Sequence, residues 1–65
     1  MSDTVYKHAH LVRPGDIVLE PYAVTYVVKN LDSWDGGCCL EGIDLLNGVT
    51  TTDWFAAFDT LEVLA

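Results

Sequence analysis

The sequence predicts a small all-β protein: a five-stranded sheet curled into a barrel around one core. Three observations predict it. Short runs rich in Val, Thr, Ile and Tyr recur along the chain, and these residue types fit a pleated sheet. Turn signals separate the runs, at Pro14-Gly15, Gly36-Gly37 and Asn47-Gly48. The length of 65 residues, 51% of them apolar, suffices for a single domain spanning 1–65. A chain this short buries only about 60% of the surface its unfolded form exposes, so the core is small and the stability margin thin.

Residues 1–4 are polar and expected to fray. Residues 5–12 can form a leading strand. His8 and His10 are two apart there and would share a face, as a metal pair or as a solvated pair; without a matching third ligand, no metal site is expected. Arg13-Pro14-Gly15-Asp16 reads as a type II turn, in which the third residue needs a positive φ. The next strand, 17–20, alternates. Placing Glu20 toward water puts Val18 beside it and turns Ile17 and Leu19 inward. Pro21 cannot donate to a ladder and marks a break. Residues 23–29, AVTYVVK, form the strongest strand, with Val24, Tyr26 and Val28 on the core face.

Residues 30–37, NLDSWDGG, read as a loop carrying one large aromatic, Trp34. Such a Trp either folds back over an open barrel end or stands out as an anchor for a partner. Residues 38–44 form the following strand, with Gly42 marking a bulge or a close backbone approach. Asn47-Gly48 signals a hairpin into a strand at 49–55. A single helical turn at 56–59 and a last strand at 61–64 complete the barrel. A rival helix over 53–64 would align Trp54, Phe58 and Leu61.

The net charge of −7 is one-sided. Up to Lys29 the chain balances Lys7, Arg13 and Lys29 against Asp3, Asp16 and Glu20. Beyond it stand Asp32, Asp35, Glu41, Asp44, Asp53, Asp59 and Glu62, with no Lys or Arg at all. That balance disfavours direct binding to nucleic acid or an anionic membrane, which both need cations to replace counterions. It suits a basic protein partner, and equally the plain solubility of a small apolar chain. The N-terminus lacks the apolar region of a signal peptide, and no run approaches a membrane span. Cys38 and Cys39 are adjacent, cannot staple distant segments, and point to opposite faces of a strand. Free thiols and a cytoplasmic location are the expectation.

No enzyme template fits, and no cofactor is expected. The only serines are Ser2 and Ser33, in no triad motif; Gly36-Gly37 lacks the Lys and Ser/Thr of a phosphate loop; the adjacent cysteines are not a two-spaced redox motif. Paired carboxylates of the glycosidase kind need a cleft larger than a chain this short can build.

The order of signals resembles the small SH3-like β-barrels of the translation-protein and KOW type. Those open on a Leu followed by Gly-Asp-x-Val, here Leu11, Gly15, Asp16 and Val18 with Arg13-Pro14 between. The N-terminal domain of elongation factor P is similar, including a late Leu-x-x-Gly hairpin, here Leu45-Leu46-Asn47-Gly48. The resemblance covers residues 9–64 and implies an SH3-like barrel. Such barrels are usually basic on the binding face and this chain is acidic, so an RNA role is not implied. The small, acidic, Asp-Gly-rich chain also resembles proteins encoded by actinobacterial phages.

The expected function is a non-enzymatic protein-interaction module, a modulator of a bacterial host protein if the phage resemblance holds. The residues expected to bind are Tyr22, Trp34, Asp35 and Trp54, with Asp32 and Asp53 completing an acidic rim. Phe55, Phe58 and Tyr26 are expected in the core or shielding it. The alternatives are an acidic nucleic-acid mimic and a self-associating structural or virion component, including a homodimer paired through an edge strand.

Overall fold

The computed structural model describes residues 3–20 and 25–65. Six strands form one antiparallel sheet: β1 (Thr4–His8), β2 (Ile17–Leu19), β3 (Thr25–Trp34), β4 (Gly37–Asp44), β5 (Thr50–Ala56) and β6 (Thr60–Leu64). Their spatial order is β1-β6-β2-β3-β4-β5. The count is six, not five, because the leading segment is a full member of the sheet. It pairs along β6 from Thr4 opposite Leu64 to His8 opposite Thr60. Thr4, expected to fray, opens β1, and its Oγ1 donates to Glu62 at 2.8 Å.

The sheet is not closed: among the described residues β1 and β5 do not pair. A 3-10 turn at Ala9–Leu11 joins these ends instead. Ala9 N–H donates to Asp59 O at 2.8 Å and His10 N–H to Ala57 O at 3.1 Å. The expected leading strand, 5–12, therefore stops at His8, because the chain must bend here to carry Ala9 and Val12 into the core. The expected helical turn at 56–59 is a β-turn, in which Asp59 N–H donates to Ala56 O (3.0 Å) and Asp59 Oδ2 accepts from Ala56 N–H (3.0 Å). Strand β6 follows it, and the rival helix over 53–64 does not form. No helix among the described residues is long and apolar enough to cross a membrane.

The core consists of Ala9, Val12, Val18, Tyr26, Val28, Cys38, Leu40, Leu61 and Val63, with Leu31 and Phe55 packed against it. Tyr26 and Val28 are inward as expected; Val24 and Pro21 lie outside the described residues. Strand β2 is turned the other way round from expectation: Val18 is fully buried, and Ile17 and Leu19 are only half-buried. Val18 lies between Tyr26 on β3 and Val63 on β6, both core residues, and this sandwich fixes its side. Glu20 does share a side with Val18, but that side is the inner one.

Two glycines set the shape. Gly15, at φ 97°, makes the turn before β2, and Asp16 Oδ2 caps that turn by accepting from Arg13 N–H at 2.9 Å. Gly42 has no room for a side chain: a Cβ there would lie 2.5 Å from Val27 O and 2.6 Å from Tyr26 Cδ2. Opposite it, the β3 register skips from Val28–Gly42 to Asn30–Glu41, leaving Lys29 as a bulge. The approach expected at Gly42 and the bulge are thus on facing strands. Strand β3 then continues to Trp34, so the loop expected at 30–37 is mostly strand and only Asp35-Gly36 turns. Beyond half-buried Leu31, Asp32, Ser33 and Trp34 are all exposed, so this polar end of the strand carries no alternating signal. At the β4–β5 turn, Gly48 is at φ 75° while Asn47 is not in the left-handed region, so the tight two-residue hairpin does not form. A longer turn replaces it, with buried Asp44 accepting from Leu46 N–H (2.7 Å, Oδ1) and from Gly48 N–H (2.8 Å, backbone O).

Candidate functional site

The Lys29 bulge decides which side chains reach the outer face. Before it, the even residues Tyr26 and Val28 point inward; after it, Leu31 does, and Asp32 and Trp34 point out. The register across β3, β4 and β5 then builds three rows on that face. Asn30 is paired with Glu41 and Glu41 with Thr52; Asp32 with Cys39 and Cys39 with Trp54; Trp34 with Gly37 and Gly37 with Ala56.

Gly37 is the seat of Trp34. A Cβ at Gly37 would lie 3.0 Å from three atoms of the Trp34 indole, so the ring lies where a side chain would otherwise stand. Trp54, one row away, meets it with ring centroids 5.3 Å apart and planes tilted by 57°. Trp34 remains 50% exposed and Trp54 69% exposed, so the pair presents aromatic surface to solvent. Trp34 therefore does not fold back over the core. Around the pair stand the exposed carboxylates of Asp32, Asp35 and Glu41, the last accepting from Asn30 Nδ2 at 3.1 Å. Half-buried Cys39 lies between them. Burial first, then the charges of Asp32, Glu41 and Asp53, raise its thiol above the ordinary value, so it stays protonated and a poor nucleophile.

The structure brings together Trp34, Trp54 and Asp35 of the expected site. Tyr22 lies outside the described residues. Asp53, expected on the acidic rim, is on the opposite face: it pairs with buried Leu40, and its Oδ2 is buried with no hydrogen-bond partner among the described residues. There it lies near Glu20 and the hydroxyl of fully buried Tyr26, which also lacks a partner among those residues. Burial pushes the Glu20 carboxyl up to about 7, helped by the neighbouring Asp53 carboxylate and its charge. Tyr26 is raised too, by burial and by the charges of Asp53 and Glu20. Sequence reasoning missed this inner cluster; its one signal was that Glu20 shares a side with Val18.

Phe58, expected in or over the core, is 72% exposed. It stands with its ring edge-on to His8 and His10, centroids 5.5 and 5.1 Å away, while the two imidazoles stack at 6.0 Å. His8 Nδ1 lies 2.9 Å from Phe58 O, so the histidines hold the β5–β6 corner. No group of three or more metal-ligating side chains converges among the described residues. Phe55 is half-buried against the core, as expected.

No protein-family model matches the chain, and a search of curated proteins finds no match.

Proposed function

We propose that this protein is a non-enzymatic interaction module, whose Trp34/Trp54 face holds a basic partner protein. The observation that carries the reading is the pair itself: two touching tryptophans, half or more exposed, within a part of the chain that has carboxylates and no cation. Trp offers a large desolvating surface and a π face that attracts cations, and such residues dominate binding energy at interfaces. The curled sheet with its Gly-Asp turn is read as an SH3-like barrel variant with an added leading strand. On the resemblance to phage-encoded proteins, the partner is a bacterial host protein in the cytoplasm, and binding modulates or inhibits it. Neither catalysis nor a cofactor is part of the proposal.

Mimicry of nucleic acid is less well supported. It needs a row of exposed charges, and here Asp44 is buried and Asp53 is turned inward. The test uses a partner captured from bacterial lysate at near-physiological salt. Trp34→Ala and Trp54→Ala should each weaken its binding about tenfold or more, with the far-UV spectrum unchanged. Unchanged affinity in both variants removes the reading; affinity that collapses with salt and competes with DNA replaces it with mimicry.

A further inference from the structure

The direction of the backbone groups on β5 adds a second feature to the same face. Ala57 N–H donates to Gly36 O, and Asp44 N–H donates to Val49 O. Both bonds belong to the β4–β5 register, in which Gly37 faces Ala56 and Ile43 faces Thr50. Hydrogen-bonded pairs alternate along an antiparallel ladder, so Thr51, Asp53 and Phe55 bond to β4. Thr50, Thr52, Trp54 and Ala56 therefore point their N–H and C=O away from it. Ala56 is already satisfied at both groups by Asp59. Thr52 and Trp54 have no backbone partner among the described residues.

Edge strands are usually blunted by Lys, Pro or a bulge. Residues 50–56, TTTDWFA, contain neither Lys nor Pro, and the β4–β5 register runs without a bulge. The opposite edge of the sheet, β1, carries Lys7 and His8. The two edges thus differ in charge, and among the described residues β5 combines open backbone groups with an exposed Trp and an acidic surround.

Resting on the interaction-module reading, we infer that the partner binds as an extended, arginine- or lysine-bearing segment that adds to the sheet alongside β5. Its backbone bonds to Thr52 and Trp54, and a basic side chain on the outer face lies over the indole of Trp54. Cross-strand neighbours on one face lie about 4.5–5.5 Å apart, which is stacking distance for a guanidinium on an indole. Asp32 and Glu41 lie on that face and complement the charge. A second copy of this chain is the poorer occupant, because it would set two chains of net charge −7 edge to edge.

The probe is a short N-acetylated peptide alternating arginine and valine, compared with a glutamate-for-arginine version and one N-methylated at alternate residues. The arginine peptide should bind, quench Trp fluorescence, and slow amide exchange at Thr52 and Trp54 about tenfold or more. The N-methylated and glutamate peptides should bind at least about tenfold more weakly. Thr52→Pro, tolerated where an edge N–H faces outward, should abolish peptide binding and keep the far-UV spectrum. Binding without protection at Thr52 and Trp54, or equal binding of the N-methylated peptide, overturns strand addition and leaves the Trp face standing. No binding of the arginine peptide, when Trp34→Ala still weakens the captured partner, also overturns it. Failure of the broader reading is read separately, from a captured partner indifferent to both Trp substitutions.

Discussion

Gly42 shows how one missing atom shapes a sheet. Its absent Cβ lets the backbone of β4 close on Val27 and on the Tyr26 ring, opposite the point where Lys29 bulges. Gly42→Ala would have to displace backbone as well as side chain, and should cost about 1–3 kcal/mol of stability, read from the shift in a urea midpoint. Gly37 acts differently, since the three atoms nearest to a Cβ there all belong to the Trp34 indole. Gly37→Ala should leave stability within about 1 kcal/mol of the parent but lift Trp34 from its seat and weaken partner binding. An affinity equal to the parent's would show that the indole's position is immaterial.

At the scale of elements, the Lys29 bulge matters most. One inserted residue exchanges the faces of a strand, so everything from Leu31 to Trp34 depends on it. Deleting Lys29 should make the β3–β4 ladder regular with Leu31 still inward and Asp32 and Trp34 still outward, and should leave the Trp fluorescence maximum in place. Deleting Lys29 and Asn30 together should instead bury Asp32 and Trp34 and expose Leu31, or break the ladder, at a cost of at least about 2 kcal/mol and with an altered Trp fluorescence maximum. The bulge also explains why the strand was not legible. Read without it, Val24-Tyr26-Val28 and Leu31 fall on opposite faces, and the polar run from Asn30 to Ser33 looks like loop. The pattern of β4, the Gly15 turn and the Tyr26/Val28 face were legible, because local chemistry alone determines them. The inward side of β2 was not: three residues cannot reveal which face is buried, and Val63, which decides it, is distant in sequence.

Across the whole molecule, the sheet's curl brings Glu20 at the end of β2 against Asp53 on β5, two strands that are not neighbours in the sheet. The Glu20 carboxyl has a folded-state value of about 7, above its ordinary 4.5, so the folded protein holds a proton that the unfolded chain releases between those values. This contribution to stability is fully present below about 4.5 and is lost as pH rises through about 7. Stability should therefore fall over that window, and Glu20→Gln should flatten the fall; a parent curve that rises from pH 5 to 7 and is unaltered by the substitution would contradict the pairing. The Trp face was half legible in the same sense. Its residue types were visible in the sequence, but their meeting across three strands follows from a register that no local signal encodes.

The most direct measurement is an amide and indole NMR map of the labelled protein titrated with its captured partner at near-physiological salt. The account predicts that the Nε1–H signals of Trp34 and Trp54 and the amides of Thr52 and Trp54 move first and furthest, while Thr4, Tyr6 and His8 on β1 stay in place. Unmoved indole signals, with shifts concentrated on β1 or on the Leu45–Leu46 turn, would contradict the claim that the tryptophan face is where this protein binds.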